Sequence, residues 1–341
     1  MKYILTAICA CLFMQPVVAR DFNPFRPLPA SPPIPADNPQ TQAKIELGKQ
    51  LYFDRRLSAD QDLTCNSCHN LMAGGDDNRA LSRGEGGRLT TRSAPSLWNV
   101  AFNTVYFWDG RAPSLEAAIL EHLQDKVIMG LDPDRLHERL VSVPAYTDAF
   151  KSVFGSSRQA DNIVVARALA SFIRTLVTTD SPYDKYLRGD KQAISAQAKK
   201  GFDTFIETGC ASCHFWVNLA GPVPGLAFQS GEGFYELFPN FPGTEEEQRY
   251  QLTADPGRIS VTGISTDRRM WRVSILRNIA LTAPYFHNGK VATLAEAVRV
   301  MAKTQLNVDL DRNQIDDITA FLHTLTGKFP SIVLPRLPVT N

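Results

Sequence analysis

Apolar positions recur at helical spacing along most of this chain, and no stretch of useful length alternates apolar with polar residues. The pattern predicts a helix after Thr41, its N-cap, with Ala43, Leu47 and Leu51 on one face. Short helices are predicted over 114–124, 133–141 and 144–154, with Pro133 in a first turn, where a missing N–H costs nothing. The longest amphipathic run is 161–177. Three more helices are predicted over 195–207, stopped by Gly209, over 293–306, and over 311–325, ended by Gly327. The expected class is mainly α. Two segments lack the pattern. Residues 20–40 carry seven prolines and read as an extended arm. Between His214 and Arg258 lies a Pro/Gly-rich stretch, and a loop of that length serves function or wraps something.

The pattern also repeats. Residues 97–122 match 276–301 without gaps at an offset of 179: Leu97, Asn99, Ala101, Tyr106, Phe107, Gly110, Leu115 and Ala118 recur as Leu276, Asn278, Ala280, Tyr285, Phe286, Gly289, Leu294 and Ala297. The chain therefore reads as a duplicated unit. The expected organisation is a leader over 1–19, the arm over 20–40, one domain over 41–178, a connector over 179–194 and a second domain over 195–341.

Composition adds bounds. With 341 residues, 44% hydrophobic and 21% charged, the chain can form two modest cores. A net charge of +1 gives no reason to expect a nucleic-acid partner. Lys2, the apolar run from Tyr3 to Met14 and Val17-Val18-Ala19 read as an export signal cleaved before Arg20, which places the mature protein in the periplasm. Lipid anchoring at Cys11 is the less favoured alternative, because the apolar core before it is very short. No later segment has the length and apolarity of a membrane helix.

Four cysteines then remain, and both pairs sit in the same motif: Cys65-Asn66-Ser67-Cys68-His69 and Cys210-Ala211-Ser212-Cys213-His214. Two thiols one helical turn apart can form thioethers to one haem, and the following histidine can ligate its iron. A redox pair or half of a zinc site would also use Cys-x-x-Cys. Two copies, each followed by His in a duplicated exported chain, favour two covalently bound c-type haems, one in each of two cytochrome c-like domains.

Three strings carry a family resemblance: PIPADNP-x3-AKIELGKQLYFDRRLS before the first motif, FNTVYFWDGRAPSLE after it, and LRNIALTAPYFHNGKVATLAEAVRVM after the second. With them the chain resembles the bacterial dihaem cytochrome c peroxidase and MauG superfamily over nearly its whole mature length. The resemblance implies that Met301 is the second axial ligand of the C-terminal haem and that Trp108 lies between the haems. It implies reduction of hydrogen peroxide with electrons from a small periplasmic cytochrome c or cupredoxin. It also implies a calcium ion held by the Thr282 and Pro284 carbonyls and, where the family has Asn, by Ser93. His287, the repeat partner of Trp108, matches a family histidine. A protein substrate, as for a MauG-like enzyme, and a second copy of the chain are left open as further partners, and a dihaem electron carrier is the rival from outside the enzyme class.

The departures cluster at the first haem. The family's loop histidine is Glu85 here, its distal Gln is Ala118, and its peroxide-splitting Glu is Ile128. Met301 lies fourteen residues after His287, and His122 lies fourteen after Trp108. Internal symmetry thus puts His122 over the first haem, as ligand or as acid–base group, with Glu121 and Glu85 as lesser catalytic candidates.

Overall fold

The computed structural model describes residues 24–155, 160–222 and 232–339; the expected signal and cleavage site lie outside them. Most of its helices start where short polar side chains can cap them. They are α1 Gln42–Tyr52, α2 Cys65–Cys68, α3 Leu115–Gln124, α4 Pro133–Val141, α5 Pro144–Phe154, α6 Asn162–Ile173, α7 Pro182–Leu187, α8 Ala196–Glu207, α9 Glu245–Tyr250, α10 Ile259–Thr262, α11 Leu294–Leu306 and α12 Arg312–His323. Thr41, Ser114, Asp132, Asp161, Ser195, Thr293 and Asp311 each accept a backbone N–H in the first turn of the helix that follows. The class is mainly α, as expected. One small sheet departs from that reading: β1 Tyr235–Leu237 pairs antiparallel with β2 Met270–Arg272.

Two helices differ from their sequence patterns. On α1 the buried face is Lys44, Leu47, Gly48 and Leu51, while Ala43 is exposed. The rotation lets Gly48 meet α6 so closely that a Cβ would lie 2.0 Å from the Ala168 carbonyl oxygen. Lys44 is tolerated inside because its ammonium donates to the Asn38 side chain and the Pro39 carbonyl. Helix α6 ends at Ile173 rather than 177, because the chain turns there and the Leu176 carbonyl accepts the Asn99 N–H.

Helices α1, α3, α4, α5 and α6 enclose the first core around Leu51, Tyr52, Leu136, Leu140, Tyr146 and Leu169. The second core gathers Phe202, Phe205, Leu294, Val300 and Phe321 from α8, α11 and α12. There Gly201 repeats the role of Gly48, with a Cβ position 1.8 Å from the Asp317 carbonyl oxygen on α12. The sequence repeat is a structural repeat. Asn99 and Asn278 are both left-handed (φ 64° and 61°), as are Phe107 and Phe286 (67° and 69°). Isolated bridges Tyr106–Ala112 and Tyr285–Val291 close the same turn in each half.

The halves are interlaced. Thr178 Oγ1 accepts the amide N–H groups of both Asn99 (2.9 Å) and Asn278 (3.0 Å). Within 179–194, the segment read as a connector, α7 buries Tyr183 between Phe202 and Phe321. From the arm, Phe25 packs edge-on against Phe202. From the far end of the chain, Phe329 packs edge-on against Trp98 of the first core. In the long stretch after His214, the Tyr235 hydroxyl donates to the Gly110 carbonyl at 3.0 Å, so the second half's insertion covers a turn of the first.

Candidate functional site

Each Cys-x-x-Cys-His motif forms one tight turn that returns to its own first cysteine. The His69 N–H donates to the Cys65 carbonyl, and the His214 N–H to the Cys210 carbonyl, both at 3.0 Å. Cys65, Cys68, Cys210 and Cys213 form no disulfide. Both imidazoles are braced from behind: His69 Nδ1 meets the Pro95 carbonyl at 3.0 Å, and His214 Nδ1 meets the Leu219 carbonyl at 2.9 Å. A carbonyl only accepts, so Nδ1 carries the proton in each ring and Nε2 keeps its lone pair. Burial pushes His69 down to about 4 and lowers His214, so both rings are neutral, as metal ligation requires.

A cavity of about 350 Å³ opens over the first motif. Cys65, Cys68 and His69 line one side, Trp108 and His122 are also in its wall, and Thr282 and Pro284 come from the second half. His122 stands on α3 with its ring centroid 6.1 Å from that of His69. Its Nδ1 donates to the Ala118 carbonyl one turn back, at 2.8 Å. One face of the ring stacks on Phe107 at 4.8 Å and 12°. The guanidinium of Arg111 lies 3.5 Å from the centre of the Phe107 ring.

The other candidates divide. Ala118 and Ile128, which stand where the resemblance implies acid–base groups, do line the cavity. Glu85 and Glu121 are not among the lining residues, although each is bonded to residues that are. Glu85 is buried elsewhere because its N–H donates to the Val127 carbonyl, folding the loop down so that its carboxylate accepts the Asp60 N–H. Glu121 is held outward by an ion pair with Arg111. Ser93, Thr282 and Pro284 share the cavity wall, but the Ser93 carbonyl already accepts Trp108 Nε1–H at 2.8 Å. Met301 occupies on α11 the place of His122 on α3, packed with Cys210 against the second core.

Trp108 borders the first cavity and also packs against the second core. Its edge meets His287 at 6.4 Å, and His287 stacks on Trp271 at 4.3 Å. Arg92 covers Trp271 and bridges Asp109 and Asp255, which fixes this column at the seam. Sequence reasoning missed Trp271, which no repeat marks. It also passed over Phe107 as a site residue, although the recurrence of Phe107 as Phe286 was a usable signal.

The turn motifs, the neutral braced imidazoles and the cavity define a haem-binding protein of the cytochrome c kind. The sequence model of the di-haem cytochrome c peroxidase family matches residues 42–192. The cytochrome c551 peroxidase of Pseudomonas aeruginosa is 39% identical over 93% of this chain and 88% of its own length. That of Nitrosomonas europaea is 38% identical over 91% and 87%. Among solved structures, a MauG-like protein associated with microbial copper homeostasis is similar with a TM-score of 0.77 at 28% identity, covering 91% of this chain and 96% of the other. This chain belongs to the di-haem cytochrome c peroxidase family, and haem is its cofactor.

Proposed function

We propose that the protein is an exported, periplasmic di-haem peroxidase that reduces hydrogen peroxide with electrons from a small cytochrome c or cupredoxin. The observation that carries this reading is Trp108, which belongs at once to the wall of the cavity over His69 and to the core that holds the second motif. Bound haem supplies the redox chemistry, in which each peroxide takes two electrons and two protons to give two waters. Cys65 and Cys68 would anchor one haem by thioethers with His69 as ligand. Cys210 and Cys213 would anchor the other, with His214 and Met301 as its axial pair. Trp108 keeps a short path between the halves, its indole fixed by Ser93. Calcium would draw on Ser93, Thr282 and Pro284, oxygens from both halves in one wall. No helix among the described residues is long and apolar enough to cross a membrane, which agrees with an exported protein working outside the bilayer.

The second reading is an electron carrier, favoured by the ring of His122 facing His69. Peroxide consumption by the haem-loaded protein with a reduced small cytochrome separates the two. The peroxidase reading expects turnover, and a fall of ~10-fold or more in Trp108→Phe at unchanged haem content. Wild-type turnover no greater than that of free haem would leave the carrier.

A further inference from the structure

The two imidazoles over the first motif stand at a separation that has its own chemical meaning. An iron held between two trans imidazoles, ~2 Å from each nitrogen, sets their ring centroids ~6 Å apart. The rings of His69 and His122 are 6.1 Å apart. Ordinary edge-on ring contacts span ~4.5–7 Å, so the separation is compatible with an iron between the rings and the case is completed by their orientation. Two histidines that framed a substrate would need room for the iron, the substrate and a hydrogen bond, and so would stand several ångströms further apart.

Orientation supports the same conclusion. Each ring engages its Nδ1–H with a backbone carbonyl rather than with the other ring: Pro95 for His69 and Ala118 for His122. That bond fixes the tautomer and leaves Nε2 of each ring with a free lone pair, the arrangement found behind metal-bound histidines. His122 is further immobilised by its stack on Phe107. The repeat agrees independently, since His122 and Met301 occupy equivalent positions on α3 and α11.

We propose that His122 is the second axial ligand of the first haem, so that the oxidised protein rests with its peroxide-binding face closed by a helix-borne imidazole. The proposal rests on the reading that Cys65, Cys68 and His69 hold a haem, and it deepens the proposed function by naming what controls access to the iron. A closing residue carried on α3 differs in kind from one carried on a loop. It leaves the iron by side-chain rotation or helix movement, with Phe107 and Arg111 in the same stack.

Electron paramagnetic resonance and optical spectra of the oxidised, haem-loaded protein test this without peroxide. Both irons should be low-spin. In His122→Ala one of the two should become high-spin, and added imidazole should return it to low-spin. His122→Gln, which keeps the volume and helix propensity, should give the same single high-spin iron if the alanine variant folds poorly. A high-spin iron already present in the oxidised wild type would overturn the proposal, as would two low-spin irons in both variants. The outcomes stay separate from the peroxidase reading. A protein with the expected spin states that never turns over peroxide loses that reading and keeps this ligand; one that turns over peroxide with a high-spin resting iron does the reverse.

Discussion

Replacing Asp184 with alanine removes the partner of a guanidinium that has almost no contact with water. Arg277 and Asp184 meet at 2.8 Å with side chains 1% and 0% exposed. The carboxylate also accepts the N–H groups of Leu28 and Ser181 and the Ser181 hydroxyl, tying the arm and the start of α7 to the second core. Arg277 keeps the Val217 and Arg26 carbonyls and the Ser181 hydroxyl as neutral partners. Leaving one charge of such a pair unmatched costs ~3–5 kcal/mol. Losing the reciprocal cap at Ser181 adds ~1 kcal/mol. Against a total stability of ~5–15 kcal/mol, a loss of ~4–6 kcal/mol is a large fraction. Urea unfolding of the haem-loaded protein, followed by far-UV circular dichroism, should show the midpoint fall accordingly. Asp184→Leu combined with Arg277→Met should recover most of it, because the cost lies in the unmatched charge. A single-variant loss below ~1 kcal/mol would refute the reasoning, and a double variant no better than the single would move the cost to the lost caps.

Asp76 gives a pH test. Burial raises its carboxyl to about 7, so the folded chain binds this proton more tightly than the unfolded one. Its contribution is fully present below the ordinary carboxylate value of ~3.9 and is lost as pH rises through about 7. Unfolding midpoints of wild type should therefore fall relative to Asp76→Asn across that window, and a pH-independent difference would contradict this. At the second motif, Met301→Ala should lower the reduction potential of one haem, because a thioether ligand favours the ferrous state; a redox titration with both potentials unchanged would make Met301 core packing only.

Much of the helical frame was legible because its signals are local. Thr41, Ser114, Asp132, Asp161, Ser195, Thr293 and Asp311 cap helices through their own side chains, whatever packs nearby. The repeat was legible too, since the left-handed Asn99 and Asn278 and the Phe107 and Phe286 turns need the same residues in both halves. What failed depended on long-range contacts. Whether Ala43 or Lys44 faces inward on α1 depends on how closely Gly48 approaches α6. Strands of three residues are too short to show alternation, and β1 and β2 exist because they pair with each other. Glu85 looked like a cavity residue by its place in an aligned loop, but its direction follows from the backbone bond to Val127 and the Asp60 N–H. The seam column of Trp271 and His287 joins residues whose sequence surroundings give no hint of stacking.

The two halves share one scaffold and differ where it matters chemically. Equivalent positions on α3 and α11 carry an imidazole and a thioether, side chains whose different softness would set two bound irons at different potentials. Around the first of them Ala118 and Ile128 supply no proton-transfer group, and Glu85 and Glu121 are committed elsewhere. His122 is thus the imidazole that faces His69, and with it as ligand one residue governs both closure and proton handling: it must leave the iron before it can take a proton from peroxide. Leaving breaks a hydrogen bond to Ala118 worth ~1 kcal/mol and parts a stack on Phe107 worth ~0.5–1.5 kcal/mol. Costs of that size are small beside the ~5.5 kcal/mol that carries a two-state equilibrium from almost closed to almost open. The protein around His122 therefore orients the ring without locking it, so with His122 as ligand the strength of the iron–nitrogen bond would decide whether the face is closed.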